Sequence, residues 1–275
     1  VLYRQLEHCQ ALLAEVPYAP ETVPCPLDAR QIVAYVERLG FAERLAHPLG
    51  DLIRVKEGEA PLLAYFRNNI LHIFALPALI ACLLHHNRHL AVQRVSEAVA
   101  GIYSLMKTEL FLRWAPEELP AVTQATIDLF VRRGLLLRDA PGQLSAPEPD
   151  SPEHGELRQL GEILRPILER HFLALAVLQH AGSGCRTRQA FENDCHLLAQ
   201  RLALLYDFNA PESAEKANFS ALITLLLDAE LLCADEMGFL HFDQRITTPL
   251  AHAALVLPAE ARETIRRMAC AGLVT

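Results

Sequence analysis

The sequence predicts a mainly α chain with small β-hairpins, arranged as tandem winged-helix-like modules; a plain helical bundle is the alternative. Three observations carry this. Leucine and alanine dominate while glycine is sparse (12), a composition that favours helix. Apolar residues recur at helical spacing, as in Leu2, Leu6, Cys9, Leu12 and Leu13. In three places a helical stretch gives way to an apolar run that reads as a strand, then a glycine-containing turn and a return.

Taken in order, residues 1–16 read as a helix, and the four prolines of residues 17–26 read as a loop. Asp28 starts the next helix, with Gln31 placed three residues later for a capping box, and Gly40 ends it. Residues 52–55 alternate like a strand, residues 56–59 turn, and residues 61–66 return, the first hairpin. The polar triplet Arg67-Asn68-Asn69 then opens fifteen mostly apolar residues, 70–84. That run is too short to span a bilayer, which takes about 20 residues, and it contains His72 and Pro77. It reads as a buried core helix, or else as a helix facing a membrane surface or a partner. A second helical segment runs up to Trp114.

Residues 121–133 form a helix stopped by Gly134, followed by the second hairpin at 135–138 and 143–146. Residues 139–155, rich in proline, acid and serine, mark an exposed boundary. Residues 156–180 read as one long helix with a stripe of Leu160, Leu164, Leu168 and Leu175, broken by Gly182-Ser183-Gly184. A helix at 188–206, a new segment at Asn209-Ala210-Pro211-Glu212, a helix at 219–230, the third hairpin at 231–242 and a closing helix at 258–271 complete the chain. The expected units are 1–120 (a helix and hairpin module with the apolar helix pair), 121–154 (helix, hairpin and exposed loop) and 155–275 (a helical module with the third hairpin). The start at Val1, inside a helical pattern, reads as a fragment of something longer.

The formal charge is −8, which argues against bulk nucleic-acid binding. The seven cysteines are scattered without a C-x-x-C, which reads as a reducing compartment and excludes a zinc ribbon. There is no Gly-Lys dipeptide, hence no Walker A loop, and neither G-x-S-x-G nor H-E-x-x-H occurs. His85, His86 and His89 are the best metal candidates, yet two imidazoles on one helix face fall short of what zinc takes. His180, Cys185, Cys195 and His196 match no metal motif. The expectation is no metal and no cofactor.

Arg67, Asn68 and Asn69 are the candidate binding residues. Arginine offers a planar fork for phosphate or carboxylate, and asparagines at a helix start cap it where anions are favoured. Plain capping with a structural ion pair, in which Arg67 ties the hairpin to the apolar helix, is the other reading.

Several segments together resemble a known family: His47-Pro48-Leu49-Gly50-Asp51, Tyr65-Phe66-Arg67-Asn68-Asn69, Leu76-Pro77-Ala78-Leu79 and residues 105–114, with residues 118–120, 200–202, 209–212 and 216–220 further on. In combination and order they resemble the C-terminal part of the bacterial membrane-associated glycerol-3-phosphate acyltransferases. The resemblance implies acyl transfer from acyl carrier protein or acyl-CoA to the sn-1 hydroxyl of glycerol 3-phosphate, at the cytoplasmic face of the inner membrane. It implies as partners the catalytic part of the same enzyme, with acyl carrier protein or the membrane surface as further candidates, and no nucleic acid. The family's catalytic signature is H-x-x-x-x-D, and no histidine here has an aspartate five residues later; His47 and Asp51 are four apart. No catalytic residue is therefore expected in this chain, and its expected role is scaffold or regulator. A winged-helix-type nucleic-acid-binding regulator is the rival from another class; the helices before the three hairpins carry few basic residues.

Overall fold

A computed structural model describes residues 1–140, 142–205 and 216–272. Its axis is a long helix, α3 (Ala60–His86), whose residues 75–84 are buried without interruption. Pro61 sits in the first turn of α3, where a missing N–H costs nothing. Pro77 lies inside the helix, in its most buried stretch. Among the described residues, α3 is the helix long and apolar enough to cross a bilayer, but its C-terminal half is covered by protein.

Before it come α1 (Leu2–Glu15), α2 (Ala29–Arg38) and a hairpin of β1 (Ala42–Leu45) and β2 (Leu52–Val55). The Asp28–Gln31 capping box forms, each side chain bonding the other's backbone. Gly40 and Gly134 both follow helices with positive φ (+86° and +74°), the left-handed stops that glycine tolerates.

After α3 the order is β3 (His89–Ala91), α4 (Val92–Leu110), α5 (Leu119–Arg132), β4 (Leu137–Ala140) and β5 (Gln143–Ser145). The three strands form an antiparallel sheet in the order β3-β5-β4. Helix, strand, two helices and a two-stranded wing whose second strand pairs with the first strand is a winged-helix topology. The next part repeats it. α6 (Pro152–Glu162) leads to α7 (Arg165–Ala181), α8 (Arg188–Leu205), α9 (Lys216–Asp228), and the wing β6 (Cys233–Ala234) with β7 (Leu240–His241). Here a single antiparallel bridge, Thr187 to Phe239, stands where β3 stands in the first unit. α10 (Thr247–Leu255) and α11 (Ala259–Gly272) close the chain.

The expected mainly α fold with small hairpins is what forms, and three local readings change. Residues 62–66 are helical, not a returning strand. β2 has already spent its pairing edge on β1, with register Ala42 to Val55 through Leu45 to Leu52, and Ala60, Leu62 and Leu63 are good helix formers. β1 escaped notice because Ala-Glu-Arg-Leu has little strand character. The single helix expected over 156–180 is two, α6 and α7, because Pro166 cannot donate to the preceding turn. The stretch 139–155 is not wholly exposed, since Leu144, Ser145 and Ala146 are buried by the β3–β5 pairing. α10 was not foreseen. Tyr206 and the segment 209–212 lie outside the described residues.

One contiguous apolar core runs from Leu12 to Ala269, and both the β3–β5 pairing and the α3–α6 packing bring segments distant in sequence together. α6 meets α3 at Gly161, where a Cβ would come within 3.1 Å of the Cys82 amide nitrogen; the Cys82 thiol donates to the Gly161 carbonyl at 3.2 Å. Asn87, after the last turn of α3, donates to the carbonyls of both Leu83 and Leu255 at 2.7 Å, tying α3 to α10.

α1 is held by a buried polar knot. Arg133 Nε donates to His8 Nδ1 at 3.1 Å, so the ring's Nε2–H is left to donate to Glu156 Oε2 at 2.8 Å. Arg4 Nε contacts the other oxygen of Glu156 at 2.8 Å. Glu156 is 2% and His8 5% exposed, so removing the carboxylate strands the buried His8 donor, while the exposed Arg4 keeps its pair with Glu153. Glu156→Ala is expected to cost about 3–5 kcal/mol and lower the melting temperature by on the order of 10 °C. Thermal melts of Glu156→Ala, His8→Ala and the double variant check this; strictly additive losses would show that the two residues are not coupled.

Candidate functional site

The first third of α3 leaves the core. Tyr65 is 62% exposed, Ile70 49% and Phe66 45%. Arg67, Asn68 and Asn69 lie beside them, all exposed. They sit two turns inside the helix, not at its start, so neither asparagine caps it; the start is at Ala60, seven residues before Arg67. Arg67 is exposed, and its Nε and Nη2 donate to Asn68 Oδ1 at 3.2 and 3.1 Å.

The β1–β2 hairpin extends this face. The Phe41 and Phe66 rings stand 6.2 Å apart, and Leu45, Leu49, Leu52 and Val55 are exposed. Residues 47–51 make the hairpin's turn: His47 Nδ1 accepts from the Leu49 amide at 3.2 Å, and Asp51 pairs with Arg44. Arg44 also pairs with Glu37, and Arg54 with Glu43, so charges ring the apolar residues.

A second polar cluster closes the C-terminal end of α4. Glu109 accepts from Arg170 through one oxygen and meets His171 Nε2 at 3.1 Å through the other. Burial pushes the Glu109 carboxyl up, but the His171 hydrogen bond and the charges of His171 and Arg170 outweigh it and hold the group at about 2. Beyond the helix, Phe111 takes a left-handed conformation (φ 53°), which turns the chain so that Leu112 and Trp114 enter the core. Arg113 Nη1 donates to the Tyr18 carbonyl at 2.6 Å, and the Trp114 and Tyr18 rings meet edge-on at 5.0 Å. Reading the sequence missed the partners of Glu109, which lie 61 and 62 residues away. The available signal was Arg170-His171 inside an otherwise apolar stretch of α7.

The histidines divide. His85 meets His86 (4.7 Å between ring centroids, rings tilted 59°) and His154 of α6 (4.9 Å, 55°), while His89 is apart, exposed and facing Asp139. His180 meets Cys270, Cys185 lies on the Ser183 carbonyl, Cys195 is buried and His196 contacts Gln200, so these four do not converge. Among the described residues no three potential ligands gather into a metal site.

Residues 1–235 match the family described as the glycerol-3-phosphate acyltransferase C-terminal region. The chain belongs to this family. It is 34% identical over 270 residues to the glycerol-3-phosphate acyltransferase of Xylella fastidiosa, covering 97% of this chain and 31% of that protein. It is 36% identical to that of Xanthomonas campestris pv. campestris (97% and 30%). It is 35% identical to that of Pseudomonas paraeruginosa over 269 residues (98% and 32%). The chain thus spans about a third of the length of these relatives. In this member of the family, the segments that carried the resemblance are a hairpin turn (47–51), an exposed helical face (65–69), the core of α3 (76–79) and the polar corner of α4 (105–114).

The clustered histidines are expected to make the region acid-sensitive. Burial pushes His86 down to about 4, assisted by His85, Arg165 of α7 and Arg262 of α11. Burial also lowers His85, with His154 and Arg158 adding to it and Glu162 opposing. A histidine whose folded value lies below 6.5 binds fewer protons folded than unfolded, so stability falls as pH drops from 6.5 toward 4. For His86 the loss is at most about 3 kcal/mol, reduced by screening of a partly exposed ring. Chemical denaturation across that window should show the slope, and His86→Asn should flatten it; an unchanged slope would show that His86 does not drive the loss.

Proposed function

We propose that this region is the non-catalytic C-terminal part of an sn-glycerol-3-phosphate 1-O-acyltransferase, and that it docks on the catalytic part of that enzyme through the face formed by α2, the β1–β2 hairpin and the first turns of α3. The observation that carries the reading is the exposed row Leu62, Tyr65, Phe66 and Ile70 on a helix whose other end is core, in a chain that covers 31% of a relative's length. Contiguous exposed apolar side chains rimmed by charge mark an interaction surface.

The charge balance supports a protein partner over a lipid surface. Glu37, Glu43, Asp51, Glu57 and Glu59 nearly offset Arg30, Arg38, Arg44, Arg54, Lys56 and Arg67, whereas anionic lipid selects a strongly basic face. Nucleic acid is disfavoured on similar grounds. In the two winged-helix units the basic residues flanking the recognition-helix position are already engaged: Arg132 with Glu15, Arg133 with His8, Arg138 with Asp128, and Lys216 with Asn193.

Acyl transfer to a hydroxyl needs an oriented base near the proton it takes. The sequence offers no H-x-x-x-x-D, so that base belongs to the catalytic part, where the glycerol 3-phosphate hydroxyl attacks the donor's thioester carbonyl and a thiol leaves. The enzyme so assembled makes lysophosphatidate, drawing on acyl carrier protein or acyl-CoA at the cytoplasmic face of the inner membrane. A second reading rests on Arg67, Asn68 and Asn69. An exposed guanidinium beside two amides on the docking face can reach the acceptor's phosphate once the parts meet.

Expressed alone, the region should not acylate glycerol 3-phosphate. In the full-length enzyme, Phe66→Asp with Ile70→Asp should abolish most activity, yet change the stability of the isolated region by no more than about 0.5 kcal/mol, as for exposed sites. Unaltered activity would defeat the docking proposal. Kinetics of Arg67→Ala separate the two readings: a raised KM for glycerol 3-phosphate alone assigns Arg67 to the substrate phosphate, and a uniform loss of activity assigns it to docking.

A further inference from the structure

A cavity of about 570 Å³ opens between α4, α9 and α10, away from the docking face. Its walls are apolar, with Leu105, Leu225, Ala229, Leu231 and Pro249 supplying most of them. A second cavity of about 600 Å³ lies under the β6–β7 wing, between Leu232, Cys233 and Phe242. Leu231 and Arg245 line both, so the two adjoin as one trough. Each alone falls in the size range of small-molecule sites, about 300–1,000 Å³. The first has their character of apolar walls with few polar groups, while the second is the polar end, with Glu230, His241, Asp243 and Arg245 in its lining.

The polar groups narrow the ligand. Ser104 is spent on the Ala100 carbonyl at 2.8 Å. His252 lies against α4 at Gly101, where any side chain would collide with Nδ1. Arg245 stands at the junction, its Nε held 3.0 Å from each oxygen of Asp243. Asp228 lines the first cavity, and Glu230 and Asp243 line the second. Three carboxylates around one guanidinium repel an anionic head, while both kinds of group can hydrogen-bond hydroxyl or ester oxygens.

We infer that this trough binds a single long acyl chain carrying an uncharged head, such as a monoacylglycerol. The choice of an acyl chain, among apolar chains, rests on the acyltransferase reading above. The site lies away from the docking face, and it gives the region a lipid-sensing role.

The test is calorimetric titration of the full-length protein with 1-monoacylglycerols of increasing chain length, each kept below its critical micelle concentration. Affinity should rise about fourfold per methylene and then level off when the trough is full. Filling the wall with Ala229→Trp or, separately, Leu225→Phe should weaken binding about fifteenfold, the equivalent of two methylenes, with melting temperature unchanged. Alkylation of Cys233 by iodoacetamide, followed by peptide mass spectrometry, should slow when the ligand is bound. Absence of saturable binding, or binding indifferent to both wall variants, overturns the site. Tighter binding of the matching fatty acid, lost in Arg245→Gln, overturns the uncharged head. Acyl transfer to glycerol 3-phosphate is assayed on the same preparation: its absence alongside intact monoacylglycerol binding would count against the acyltransferase reading and not against the trough.

Discussion

The burial of α3 is the constraint on which the rest of the structure depends. Ten successive residues, 75–84, lose all or nearly all contact with water, so helices must cover this helix on every side. α6 comes closest, through Gly161, and the β3 strand that directly follows α3 pairs with β5. An apolar helix covered all round cannot choose its neighbours by an amphipathic stripe. The choice falls to the polar fasteners around it: Asn87 to the end of α10, His8 and Glu156 between α1 and α6, Glu109 with Arg170 and His171 between α4 and α7. Hydrophobic burial supplies the drive to collapse, and these directional contacts select one arrangement.

Much of the secondary structure was legible because its signals are local. The Asp28–Gln31 box, the glycine stops at 40 and 134, and the turn from Asp235 to Gly238 all depend on residues within a few positions of one another. What was not legible depended on competition. Residues 52–55 could pair with either flank, and only the helical preference of residues 60–64 decided for β1. The site was harder still. Arg67-Asn68-Asn69 looked like a helix start because a helix was expected to begin at Ile70, so an error of ten residues in one boundary moved the triplet from a cap to the middle of an exposed face. The trough is built from α4, α9, α10 and the β6–β7 wing, and no short stretch of sequence announces such a meeting.

The winged-helix topology occurs twice, with β3 and the Thr187 bridge in equivalent places. In both units the third helix turns its apolar residues inward, Ile127 and Phe130 in α5 and Phe219, Ile223 and Leu226 in α9. The arrangement serves here as a packing unit: the wing covers one edge of the core, and the basic residues nearby staple elements together. Topology alone carries no function.

Because α3 is one continuous helix of 27 residues, about 40 Å long even with Pro77 inside it, its two ends are thermodynamically linked. Whatever grips Tyr65 and Phe66 also favours the helical state of Leu76 and Leu83, and loosening around Leu76 weakens the grip on the exposed end by the same free energy. The two halves of the helix, one buried and one exposed, therefore behave as a reciprocal lever: binding at the exposed end and integrity of this region's interior rise and fall together.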